Sequence, residues 1–126
     1  MSLYIDTHVA MWLHDGLSRK LSTEAKRLID RANLLISPMV VTELAYLREK
    51  RRVREDPMKT YAYLNATFGV ELCNLPFSAV AAESISINWT RDVFDRMIVA
   101  QASVVPESRL LTADTHILEH FPRAIW

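Results

Sequence analysis

Thr90–Ala102, TRDVFDRMIVAQA, governs how the rest of the chain is read, because two aspartates three apart stand at the head of a long apolar run. A helix beginning at Asp92 gives residues 95, 98, 99 and 102 a common face, so Asp95 lies directly above Ile98, Val99 and Ala102. Asp92 reads as the N-cap of that helix, where an acid also complements the helix dipole. Asp95 is not explained in that way. Its position continues the apolar face, and a carboxylate there is costly unless something positive meets it. Other acids in equally awkward places would point to a shared site.

Upstream, Ser37-Pro38 is an N-cap followed by proline at the first helical position, opening a helix through about Lys50. Its apolar stripe runs Val40, position 43, Leu44, Leu47, and position 43 is Glu43, a second acid on a core face. Two apolar runs end in aspartate: Leu3-Tyr4-Ile5 before Asp6, and Leu110-Leu111-Thr112-Ala113 before Asp114. Both are too short for helices and suit buried parallel strands. Leu34–Ile36 and Val70–Leu75 read as further strands, and Ala124–Trp126 as a small edge strand. Between them the pattern predicts four more helices. Ser22–Ala32 turns Ala25, Leu28, Ile29 and Ala32 inward, and a helix from Pro57 to about Thr67 goes with Tyr61, Leu64 and Phe68 facing inward and a stop at Gly69. Ser78 caps a helix through about Asn88, and Thr115–His120 forms one or two turns. Short buried strands alternating with helices predict an α/β fold with a mainly parallel sheet of four to five strands.

With 126 residues the chain has the length of one ordinary domain, and residues 1–126 are expected to form a single one. Half the residues are hydrophobic and only two are glycine, which excludes a disordered or fibrous chain. Cys73, the single cysteine, permits no internal disulfide and reads as a small buried hydrophobe. The amino terminus lacks the basic start of a signal peptide, and no apolar run has the length of a membrane span, so a cytoplasmic location is expected. Fifteen basic and fifteen acidic residues cancel, so any attraction to nucleic acid must be local.

The acids suggest the chemistry. Ligands of open parallel sheets bind beyond the carboxyl ends of the strands, which is where Asp6 and Asp114 stand. Helices that follow strands begin at the same edge, so Glu43 and Asp95 can converge there. Singly, Asp6 and Asp114 serve equally well as turn residues; with Glu43 and Asp95 they read as one site. Clustered carboxylates repel, and raised pKa values or bound cations relieve that repulsion. Oxygen-only ligands favour Mg²⁺ or Mn²⁺ over Zn²⁺. Such a site suits phosphodiester hydrolysis: one ion lowers the pKa of the attacking water and a second, about 4 Å away, stabilises the leaving oxygen.

Four motifs carry a family resemblance: DTH at 6–8, SPxxxxEL from Ser37 to Leu44, RDxFDRMIxAQA from Arg91 to Ala102, and LxTAD from Leu110 to Asp114. Over nearly its whole length the chain resembles PIN-domain ribonucleases, and more narrowly the VapC-type toxins of bacterial type II toxin–antitoxin systems. The third motif is the most specific. The resemblance implies a PIN-like three-layer α/β/α sandwich and an endoribonuclease toxin. It implies a Mg²⁺ or Mn²⁺ site made by Asp6, Glu43, Asp95 and Asp114, with Asp92 contributing in some members. It also implies a homodimer and a cognate antitoxin whose tail occupies the acidic groove and supplies a basic residue. Val93 departs from the pattern, since related chains often carry proline there; this weakens helix initiation slightly and leaves the acids untouched.

Other residues admit two readings. Thr7 and Thr112 can orient a carboxylate or a metal-bound water, or can be local turn hydroxyls. His8 either meets substrate or is a polar loop residue. His116 and His120 have helical metal-ligand spacing but no obvious third ligand, which favours a solvated helix face. Arg48, Lys50, Arg51, Arg52 and Arg54 form the one basic cluster, a solvated helix end or an electrostatic guide for an RNA backbone. Arg91 and Arg96 guide RNA at shorter range or pair with the acids. A receiver domain would need a phosphoacceptor aspartate on a middle strand and a lysine after the last strand, and both are missing. A haloacid-type phosphatase would show Asp-x-Asp where Asp6-Thr7-His8 stands. A PIN scaffold serving only to bind RNA or protein remains open, with the presence of all four acids against it.

Overall fold

Leu3, Tyr4 and Ile5 are almost wholly buried, as a strand covered on both faces requires. They belong to β1 (Ser2–Ile5), the middle strand of the sheet. The chain continues through α1 (Thr7–His14), a 3₁₀ turn at Ser18–Lys20, α2 (Thr23–Arg31), β2 (Asn33–Ile36), α3 (Pro38–Glu49), α4 (Pro57–Phe68) and β3 (Glu71–Leu72). It closes with α5 (Phe77–Ser84), α6 (Val93–Val104), β4 (Arg109–Leu111), α7 (Thr115–His120) and β5 (Ala124–Ile125). This computed structural model describes residues 1–126.

The sheet order is β3-β2-β1-β4-β5, with every neighbouring pair parallel. From β1 the chain moves outward through β2 to β3, then crosses back to β4 on the other side of β1. Right-handed crossovers that step in opposite directions put their helices on opposite faces, which makes the expected three-layer α/β/α sandwich. The order reverses between β1 and β4, and in such sheets that crevice is the ligand site. Asp6 follows β1 there, and its N–H donates to Leu111 O of β4 at 3.2 Å. The buried hydrophobic residues form one cluster of 27. Within it α6 is buried without a break from Met97 to Ala102, so it is a central helix rather than one with a single apolar stripe. No helix is long and apolar enough to cross a membrane.

Three elements differ from the sequence expectation. Residues 7–14 are helical, because Asp6 ends β1 and also caps α1, its Oδ1 accepting from Val9 N at 3.0 Å. His8 is therefore an exposed residue in the first turn of α1 and not a loop residue. β3 is only two residues long. Gly69 takes the left-handed conformation at the end of α4 (φ 70°), and Val70 N–H turns back to Leu64 O while Val70 O accepts from Asn65 Nδ2. Those bonds commit the backbone of Val70 to the helix end instead of the ladder. α5 begins at Phe77 after Pro76 rather than at a Ser78 cap, and it stops at Ser84. Arg96 Nε donates to Ser84 O at 2.9 Å, a carbonyl of that last turn that also accepts Ile87 N–H at 3.1 Å.

Candidate functional site

Asp6 is buried to 7% exposure and both its oxygens are engaged. Oδ1 accepts from Val9 N, and Oδ2 accepts from the hydroxyl of Thr112, which is wholly buried. Burial pushes the Asp6 carboxyl above the usual range, and the charge of Asp114 adds to this, against the Thr112 and Val9 hydrogen bonds. Thr112 also accepts the N–H of Asp114 at 3.0 Å. One hydroxyl thus joins the two strand-end acids. Asp114 is exposed and caps α7, its Oδ1 accepting from His116 N at 2.9 Å and Ile117 N at 3.1 Å.

Glu43 lies in the second turn of α3, whose start is set by the Ser37 cap and Pro38. It is partly buried, and Thr7 Oγ1 donates to its Oε1 at 2.5 Å. Burial raises the Glu43 carboxyl; the Thr7 bond and His8 lower it, while Asp92 and Asp6 raise it. His8 is close enough to act on Glu43 and Asp6 alike, which its position in the sequence did not reveal.

Asp92 is an exposed N-cap of α6, with Oδ1 accepting from Asp95 N at 3.0 Å and its own N–H donating to Thr90 Oγ1 at 3.2 Å. Thr90 is a buried supporting hydroxyl that the sequence reading passed over. Asp95 sits one turn in and is partly buried. Burial pushes its carboxyl up to about 7, and Asp92, Asp114, Glu43 and Asp6 all push it the same way. Four acids, three of them from other stretches of sequence, therefore bear on Asp95.

The donor set is all oxygen, its members repel one another, and no lysine or arginine is paired with any of the five. A hard divalent cation fits that chemistry. The caps engage one oxygen each of Asp92 and Asp114 and leave the other free. No three acid oxygens lie within 4.8 Å of one another, so closing a coordination shell takes side-chain rotation. The trio that does meet that spacing is His116, Glu119 and His120, which supplies the third ligand that the sequence reading did not find.

The basic residues divide. Arg51, Arg52 and Arg54 line a cleft of about 710 Å³ together with His14, Asp15 and Glu55, none of it built from the five acids of the crevice. Lys50, seven residues beyond Glu43, is roughly 10 Å further along the helix axis. Arg48 pairs with Asp56 at 3.6 Å in an exposed ion pair. Arg91 is exposed beside Asp92. Arg96 neither pairs with an acid nor reaches outward, since its guanidinium is held by Ser84 O and Ile85 O at 2.9 and 3.5 Å.

No curated protein matches the chain in sequence. Among solved structures, the crystal structure of VapBC2 from Rickettsia felis bound to a DNA fragment from their promoter is similar in fold. It covers 99% of this chain and 96% of the matched one, with a TM-score of 0.66 and 15% identity. The PIN domain family matches residues 3–123, a span that holds Asp6, Glu43, Asp92, Asp95 and Asp114 and the whole of β2, β3 and β4 with all of β1 but Ser2. The chain belongs to the PIN domain family.

Proposed function

We propose that this protein is a Mg²⁺- or Mn²⁺-dependent endoribonuclease, a cytoplasmic toxin of the VapC type consisting of one PIN domain, acting as a homodimer and neutralised by a cognate antitoxin. The observation that carries the reading is Asp95, pushed up to about 7 by its burial and by four other acids around it. Acids gathered around a partly buried carboxylate are a mark of functional sites, and a bound cation is one way to relieve their repulsion. The likeness in fold to VapBC2 supports the toxin type and the antitoxin partner.

Asp6, Glu43, Asp95 and Asp114 would hold the ion, with Asp92 beside them. When bound, a divalent ion supplies a lower pKa for the attacking water and charge stabilisation at the leaving oxygen. Thr7 fixes the orientation of Glu43, and Thr112 that of Asp6, so neither carboxylate has to be ordered when an ion arrives. Arg48, Arg51, Arg52 and Arg91 attract the RNA backbone toward the acidic crevice. Arg96, whose Nε and one terminal nitrogen are held by Ser84 O and Ile85 O, adds its charge to that attraction from a fixed position.

The test is incubation of purified protein with total RNA in Mn²⁺ or Mg²⁺, followed by mapping of new RNA ends. Cleavage at defined sites is expected, removed by chelator and by Asp95→Asn, with the variant's circular dichroism unchanged. Binding of RNA without any cleavage in either ion would overturn the proposal and leave a PIN-fold binding module.

A further inference from the structure

The second convergence of metal-ligating side chains lies on α7, away from the acids. His116, Glu119 and His120 stand at helix positions i, i+3 and i+4, which share a face. Each offers a ligand atom within 4.8 Å of the others, and all three are exposed.

The histidines are not loose surface side chains. His116 Nε2 lies 2.9 Å from Trp89 O, and His120 Nδ1 lies 2.9 Å from His116 O. A carbonyl oxygen only accepts, so both of these nitrogens carry the proton. In the neutral rings this leaves lone pairs on His116 Nδ1 and His120 Nε2. Donation of the other ring N–H to a carbonyl is the arrangement that orients metal-ligating histidines and makes them more basic. Trp89 holds the rings further: its indole stacks on His120 at 5.0 Å and 13°, and meets His116 edge-on at 5.3 Å and 72°.

We infer that His116, Glu119 and His120 form a second metal site, for a transition ion of the Zn²⁺ class, separate from the acidic crevice. Two imidazoles and one carboxylate suit such an ion and not Mg²⁺, and three protein ligands leave one position to water. The inference goes beyond the nuclease reading and does not depend on it. Its structural consequence follows from what the ligands touch. Asp114 caps α7 through His116 N–H, and His116 is bonded to Trp89 O, three residues before Asp92. An ion on this face stiffens α7 against the segment that leads into α6, and so holds Asp114 and Asp92 in register.

The test is calorimetric titration of tag-free protein with Zn²⁺ in excess Mg²⁺, using the Asp95→Asn variant so that the acidic crevice is weakened and filled with Mg²⁺. One Zn²⁺ per chain is expected, with a rise in melting temperature that Mg²⁺ does not produce. Adding His120→Ala or Glu119→Gln should weaken binding by more than about tenfold with circular dichroism unchanged. Co²⁺ in place of Zn²⁺ should give visible d–d bands that disappear in His120→Ala. Zn²⁺ uptake that survives His120→Ala, or that is absent once Asp95 is replaced, would overturn the assignment.

Discussion

Ser37 Oγ donates to Gln101 Oε1 at 3.0 Å, a buried bond that ties the cap of α3 to the core of α6. Those two helices carry Glu43 and Asp95. Gln101 is itself held, its Nε2 donating to Cys73 Sγ at 3.1 Å, and Cys73 meets the hydroxyl of Tyr4 on β1 at 3.0 Å. The polar chain through the core therefore spans three elements that end at the acidic crevice. Gln101→Met should cost about 1–3 kcal/mol, because it strands a buried donor on Ser37. A double-mutant cycle with Ser37→Ala in urea should give a coupling of at least about 0.5 kcal/mol. Additive losses would mean that the bond contributes nothing.

Thr112 offers a similar test nearer the acids. Thr112→Val keeps the shape but removes the donor to Asp6 and the acceptor for Asp114 N–H. The predicted loss is about 1–3 kcal/mol, together with weaker Mn²⁺ binding, and Thr112→Ser should recover most of both. Valine matching the wild type in urea melts and Mn²⁺ titration would reduce Thr112 to a space-filling residue.

Asp95→Asn is predicted to stabilise the metal-free protein. The change relieves a partly buried carboxylate surrounded by Asp92, Asp114, Glu43 and Asp6 while keeping its shape. Because Asp95 retains contact with solvent, the gain is on the order of 1 kcal/mol. The variant should also gain less from Mn²⁺ than the wild type does. Thermal melts in chelator and in excess Mn²⁺ decide this, and a variant less stable in chelator with an unchanged response to metal would separate Asp95 from the other acids.

The same carboxylate sets a pH dependence. Asp95 is raised from 3.8 to about 7, so between those values the native state holds a proton that the unfolded chain has released. Stability from this group is full below about pH 4 and is lost as pH rises toward about 7. In chelator the wild type should therefore fall relative to Asp95→Asn across that window and run parallel to it above. Parallel melting profiles throughout would contradict the raised pKa.

Arg51 and Arg52 line the basic cleft, while Arg96 is occupied with the end of α5. Replacing Arg51 and Arg52 by alanine should raise KM for RNA with little change in kcat. The salt dependence should flatten by up to about 1.4 in the log–log slope, two single-strand phosphate contacts. Arg96→Met should instead cost up to about 1 kcal/mol, because Ser84 O keeps its bond from Ile87 N–H and Ile85 O faces solvent, and should leave the salt slope as it was. An equal salt slope in wild type and the double variant would return Arg51 and Arg52 to an ordinary solvated surface.

Local signals in the chain were enough for most elements and for the identity of the acids. Ser37-Pro38, Gly69 and Asp92 act within a few residues of themselves, and the structure shows each at the helix end where it was expected. Glu43 and Asp95 stood out because each interrupts an apolar pattern whose period is itself local. Asp6 shows where such reading stops: its strand-ending position concealed that the same side chain starts α1. The short β3, the early end of α5 and the separation of the basic cleft from the acids depended on tertiary structure, whereas Glu119 beside His116 and His120 follows from the i, i+3, i+4 spacing of one helix. Those three are set by a partner distant in sequence or by a turn of backbone, such as Arg96 on Ser84 O or Val70 N–H on Leu64 O. Propensity and periodicity act over a few residues, whereas the field at Asp95 adds to that of its neighbour Asp92 the charges of Asp114, Glu43 and Asp6, which only the sheet topology brings near.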